Sequence, residues 1–175
     1  MAELLILVGP PGSGKSSVGA LLADLLGVGF RDTDIDIETT SGRTVSDIFI
    51  ESGEAVFREL EEKALTDALA KHVGVLAVGG GAVMSAANRH SLLGRQVVFL
   101  DVGLAEAMRR LEMNRSRPLL LGNVRTQWQT LSDLRRPLYE EVAQRTILTD
   151  GKQPEQVAEE AAQGLNQRAG KSDVD

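Results

Sequence analysis

Eight residues near the start of the chain, Gly9-Pro10-Pro11-Gly12-Ser13-Gly14-Lys15-Ser16, separate two glycines by four positions and follow the second with Lys and Ser. That pattern suits the binding of a polyphosphate. Glycines let backbone N–H groups turn inward around phosphate oxygens, a helix beginning at Lys15 adds its positive end, and Lys15 itself supplies a point charge. The hydroxyl of Ser16 is placed to ligate magnesium. A plain glycine-rich turn with a solvated Lys15 is the alternative, and both the complete pattern and its strand-loop-helix setting weigh against it.

Nucleotide binding leaves the phosphoryl acceptor open. Asp32-Thr33-Asp34 follows a short apolar segment, and in extended chain a spacing of two points both carboxylates to one side. One could serve the metal and the other the acceptor hydroxyl. The pattern fits equally well an Asp-rich helix start with Thr33 or Asp34 as N-cap. Arg58 and Arg135 are widely separated arginines whose planar forks suit a carboxylate. Gly79-Gly80-Gly81 would let backbone approach a ligand with no side chain in the way. Singly, Arg58 could equally be an i,i+3 or i,i+4 partner of Glu61 or Glu62, and the glycines a tight turn.

These residues need elements to hold them. The apolar run 4–8 meets glycine at once, as a buried parallel strand does. Val18, Leu21, Leu22, Leu25 and Leu26 then recur at helical spacing until Gly27. Further strands are expected over 30–33, 75–78, 96–100 and 145–148, and helices over 35–40, 45–51, 54–72, 85–93, 104–113, 124–143 and from Pro154. In the long helix 54–72, Val56, Leu60, Ala64 and Leu69 are expected on the buried face, with Glu59, Glu61 and Glu62 on a solvated one. The segment 114–123 has the Arg, Asn, Gly and Pro composition of a mobile lid, and 169–175 that of a polar tail. Alternation of strands and helices predicts an α/β fold with a five-stranded parallel sheet covered on both faces and ligands at the carboxyl ends of the strands. With no repeat or linker, 1–175 reads as a single domain.

Composition narrows the partners. The 175 residues carry a formal charge of −6, which argues against an extended nucleic-acid surface. There is no Cys, so disulfides and thiolate metal sites are excluded. No stretch approaches a membrane span and the start lacks the form of a signal peptide, so a cytoplasmic protein is expected. Trp128 and Tyr139 are the single Trp and the single Tyr, too few for a base-stacking platform, and Tyr139 reads as packing. His72 and His90 have no metal-ligand spacing and read as structural or solvated.

In order along the chain stand the phosphate loop, Asp-Thr-Asp at 32–34, Gly-Glu-x-x-Phe-Arg at 53–58, Gly-Gly-Gly-Ala at 79–82, Arg-Pro-Leu-Leu at 117–120 and Arg-x-Pro-Leu-Tyr at 135–139. Over nearly the whole chain this resembles the shikimate kinase family. The resemblance implies a three-layer α/β/α P-loop kinase fold like that of nucleoside monophosphate kinases, with an acceptor-binding region over about 33–61, a lid over about 114–123, and a monomer. It implies transfer of the γ-phosphoryl group of ATP to shikimate with Mg2+. By the same resemblance Gly12, Ser13, Gly14, Lys15, Ser16 and Ser17 hold ATP, with Ser16 and Asp32 at the metal. Arg110, Lys152 and Gln153 flank the adenine, although family members often carry an arginine just before the following proline, where this chain has Gln153. Asp34 grips the acceptor hydroxyl and is the candidate base. Arg58, Arg135, Gly79, Gly80 and Gly81 form the shikimate pocket, Arg135 being chosen over Arg136 because it stands two before Pro137. Lys15, Asp34 and Arg117 are the catalytic set. Gluconate kinase and nucleoside monophosphate kinases are the enzyme rivals. A GTPase switch is disfavoured because no Asn-Lys-x-Asp guanine motif occurs.

Overall fold

The structure, a computed structural model, describes residues 3–113 and 123–169. Its framework is one parallel sheet in the order β2-β3-β1-β4-β5, made of β1 (Leu5–Val8), β2 (Gly29–Asp32), β3 (Gly74–Ala77), β4 (Gln96–Asp101) and β5 (Arg145–Leu148). Strands β1 and β3 are buried at every position, as strands covered on both faces must be.

Alternating side chains divide the core into two layers. On one face Leu5, Leu7, Val75, Val98, Leu100 and Ile147 pack against α1 (Lys15–Leu26) and α7 (Pro154–Ala169). On the other, Ile6, Val8, Leu76, Val78, Val97 and Phe99 meet α3 (Val45–Lys71), α4 (Ala86–Leu92) and α6 (Val124–Val142). The remaining helices are α2 (Thr33–Ser41) and α5 (Leu104–Met113). This is the expected three-layer arrangement with five parallel strands. All strands run the same way, so their carboxyl ends gather the phosphate loop, residues 32–34 and the triple glycine on one edge.

Three local expectations are corrected. Thr33 opens α2 instead of ending β2, so residues 32–34 are not an extended pair: Asp32 is the N-cap and Asp34 lies in the first helical turn. Asp32 wins the cap because its extended backbone lets Oδ1 accept from the N–H groups of Asp34 (2.9 Å) and Ile35 (3.4 Å). Within 54–72 the fully buried residues of α3 are Phe57, Glu61, Leu65 and Ala68, with the expected Leu60, Ala64 and Leu69 partly buried beside them and Val56 exposed. Glu61 is thus 2% exposed, whereas Glu59 and Glu62 are solvated as expected. Gly53, at φ 85°, breaks α3 where the sequence places a helix boundary. The lid segment lies outside the described residues except for Asn123, whose side chain caps α6 by accepting from Thr126 N–H at 3.2 Å. Of the expected polar tail only Ala169 is described.

Candidate active site

Strand β1 delivers the phosphate loop into the N-terminus of α1, whose N-cap Gly14 adopts left-handed φ 93°. Lys15 is buried, and its ammonium donates back across the loop to the carbonyls of Gly9 (2.7 Å) and Pro10 (3.2 Å). Those bonds hold the cation where an outer phosphate could replace the carbonyls. A cleft of about 420 Å3 opens beside it. Gly12, Ser13, Gly14, Ser16 and Ser17 line one side, and Arg110, Lys152, Gln153 and Pro154 another.

Arg110 is fixed by four contacts. Nη1 donates to Gly12 O (3.1 Å) and Thr149 Oγ1 (3.0 Å), Nη2 to Thr149 O (2.9 Å), and Nε to Glu106 (3.0 Å). Glu106 also holds Arg109, and chiefly that hydrogen bond, with help from Arg110, draws its carboxyl down to about 2. Thr149 and Glu106 escaped the sequence reading. Lys152 lines the cleft while its ammonium pairs with Glu160 of α7 at 2.7 Å.

Asp32 links the two halves. While Oδ1 caps α2, Oδ2 accepts from Ser16 Oγ at 2.7 Å. Helix capping and metal binding, which the sequence left as rival readings, are compatible because they use different oxygens. The two groups are hard oxygen donors, which suits Mg2+, an ion that retains several waters and joins substrate phosphates. Among the described residues no group of three or more His, Cys, Asp or Glu could hold an ion, so Ser16 and Asp32 would need water and phosphate oxygens to complete the shell.

On the acceptor side the triple glycine is the floor. Gly79 N–H donates to Thr33 Oγ1 at 3.1 Å, which ties the loop to the start of α2. A Cβ at Gly79 would stand 2.7 Å from Glu61 Oε2 and 2.8 Å from Asp34 Oδ1, and one at Gly81 would overlap the Arg58 guanidinium. A side chain at either position would displace the ends of these three side chains from the glycine backbone. Arg58 donates to Glu61 at 2.7 Å and lies over the Phe57 ring at 5.4 Å. Arg135 is buried beside Tyr139, and its Nε has no hydrogen-bond partner among the described residues. Arg136 turns elsewhere, onto Asp101 (2.6 and 2.9 Å) and the Phe99 ring. The geometry therefore favours Arg135 for a pocket role.

Glu61 and Tyr139 were missed. Burial pushes the Glu61 carboxyl up to about 7, with Arg58 opposing and Asp34 adding to the rise. Its signal was present: Glu61 falls on the i,i+4 row between Phe57 and Leu65. Tyr139 does pack, stacked on Phe99 at 5.0 Å, but its hydroxyl also donates to Gly80 O at 2.5 Å. Burial pushes that phenol up to about 12, so it remains a donor. Arg117 lies outside the described residues.

Comparison with known proteins agrees with this geometry. The family model described as Shikimate kinase matches residues 11–166. The shikimate kinase of Streptomyces coelicolor is 52% identical over 160 residues, covering 91% of this chain and 94% of that protein. That of Salinispora arenicola is 53% identical over 162 residues, covering 93% and 97%. The solved structure of the Acinetobacter baumannii shikimate kinase in complex with shikimate superposes with a TM-score of 0.91 at 37% identity, covering 96% of this chain and 95% of that one. Phosphate loop, glycine floor and paired arginines thus occur in a chain that belongs to the shikimate kinase family.

Proposed function

We propose that this chain transfers the γ-phosphoryl group of ATP to the 3-hydroxyl of shikimate, giving shikimate 3-phosphate and ADP on the route to chorismate and the aromatic amino acids. The observation that carries the reading is the convergence of Arg58, Arg135 and Asp34 on the glycine floor, one helix start away from the Ser16–Asp32 pair. Two guanidinium groups suit one carboxylate, and a carboxylate beside them suits one hydroxyl.

The acceptor oxygen attacks the γ-phosphorus, the bond to the β,γ-bridging oxygen breaks, and ADP departs. The proton leaves the acceptor hydroxyl for Asp34, a base contribution of roughly 10² to 10⁴ in rate. Lys15 and Arg117 neutralise charge on the transferring group, and arginines in such roles contribute roughly 10³ to 10⁵. Ser16 and Asp32 would hold Mg2+, which would supply neutralisation of charge on the phosphates. Arg110 and residues 152–153 flank the adenine. Residues 33–61 serve as the acceptor region of a single kinase domain, with 114–123 as its lid.

We further infer a cytoplasmic monomer acting on small molecules, without nucleic acid or membrane partners. Among the described residues no helix is long and apolar enough to cross a membrane. The test is ADP release by the purified protein with MgATP and, in turn, shikimate, gluconate and nucleoside monophosphates. Stimulation by shikimate alone supports the reading, and preference for another acceptor overturns it.

A further inference from the structure

The tip of the phosphate loop is a type II turn. Ser13 N–H donates to Pro10 O at 3.1 Å, Pro11 occupies the second position, and Gly12 the third with φ 84°. A type I and a type II turn differ by a flip of the central peptide, which here joins Pro11 to Gly12. The direction of that one peptide decides which way Gly12 N–H points, because in a trans peptide the C=O and N–H lie on opposite sides.

A residue 117 positions away contacts that peptide. The indole Nε1–H of Trp128 donates to Pro11 O at 2.8 Å. Trp128 is 3% exposed, wedged with Val102, Ala107 and Met108 in a small apolar cluster between α5 and α6. It lies outside the nucleotide cleft, whereas Gly12 lines it. With the Pro11 carbonyl drawn toward Trp128, Gly12 N–H is turned the opposite way. From the α5 side Arg110 holds the next carbonyl, Gly12 O, at 3.1 Å.

We propose that Trp128 is a positioning residue for phosphoryl transfer: its indole N–H holds the Pro11–Gly12 peptide in the type II orientation, so that Gly12 N–H is presented to the nucleotide's outer phosphates before they arrive. Packing alone would be met by any large aromatic, but the hydrogen bond requires the ring nitrogen. The inference rests on the nucleotide reading of the cleft and goes beyond it by assigning a role to a residue that touches no substrate.

The test exploits the single tryptophan. Expression with β-benzothienylalanine in its place keeps the bicyclic ring and removes only the N–H, while 5-fluorotryptophan keeps the N–H and serves as the rescue. Dissociation constants for ADP and adenosine are measured by equilibrium dialysis, with kcat and the KM values alongside, and Trp128→Phe made genetically as a second donor-free form. Loss of a donor that orients an N–H toward charged oxygen should weaken ADP about tenfold. Adenosine affinity and the shikimate KM should stay unchanged, and 5-fluorotryptophan should restore ADP binding. Equal ADP affinity in all forms overturns the proposal, as does a parallel loss for adenosine and shikimate, which would mark a merely structural residue. If the unsubstituted protein binds no ADP, the nucleotide reading itself falls with it.

Discussion

Replacing Glu61 by Gln should change how stability depends on pH. The folded-state carboxyl titrates at about 7 against an ordinary 4.5, chiefly through burial. A group raised in this way favours the folded state fully below about 4.5, and that contribution is lost as pH rises through about 7. At about 1.4 kcal/mol per pH unit the gap corresponds to at most roughly 3 kcal/mol, with the opposing effect of Arg58 already included, and about 1–3 kcal/mol is the expected range. Urea denaturation of wild type and Glu61→Gln, at about pH 5 and about pH 8, isolates the effect because other titrating groups cancel in the double difference. The variant should gain on wild type by about 1–3 kcal/mol between the two conditions. Parallel pH profiles would refute the placement of an ionisable carboxyl at this buried position. The same variant alters the partner of Arg58, so its shikimate KM should rise several-fold even where stability improves.

Three further substitutions separate roles that the sequence leaves entangled. Arg135→Ala should raise the shikimate KM by on the order of 10²-fold, a charged hydrogen bond's worth, whereas Arg136→Ala should leave it nearly unchanged and lower stability through the Asp101 pair; steady-state kinetics showing the reverse would reassign the carboxylate. Asp32→Asn retains an N-cap but loses the charge, so urea denaturation should move by less than about 0.5 kcal/mol while the Mg2+ needed for half-maximal velocity rises about tenfold; an unchanged Mg2+ requirement contradicts the metal role. Tyr139→Phe strands the Gly80 carbonyl, with an expected loss of about 1–2 kcal/mol in denaturation and a few-fold higher shikimate KM; a neutral result would make the hydroxyl incidental.

Local chemistry made most of the fold and much of the site legible. Strand β1 is an apolar run stopped by glycine, and the phosphate loop carries its spacing openly. Gly53 marked the break in α3 because a residue at φ 85° must nearly always be glycine. The failures share a cause: they depend on what approaches from far along the chain. Glu61 read as solvated because a carboxylate normally is, yet its place on the Phe57–Leu65 row puts it against Gly79 and Arg58. Residues 32–34 fitted an extended pair and a helix start equally well, with Thr33 or Asp34 as cap, because nothing local announces that Asp32 will both cap the helix and hold Ser16. The hydroxyl of Tyr139 and the indole of Trp128 meet carbonyls 59 and 117 residues away, contacts that no local pattern encodes.

The central claim concerns where the phosphoryl group lands, and the most direct measurement is a phosphorus–proton NMR correlation on the product formed from shikimate and MgATP. A single new phosphate monoester coupled to the proton on carbon 3, with equimolar ADP, is the result the account requires. A phosphate on another oxygen, or inorganic phosphate with unaltered shikimate, would contradict it.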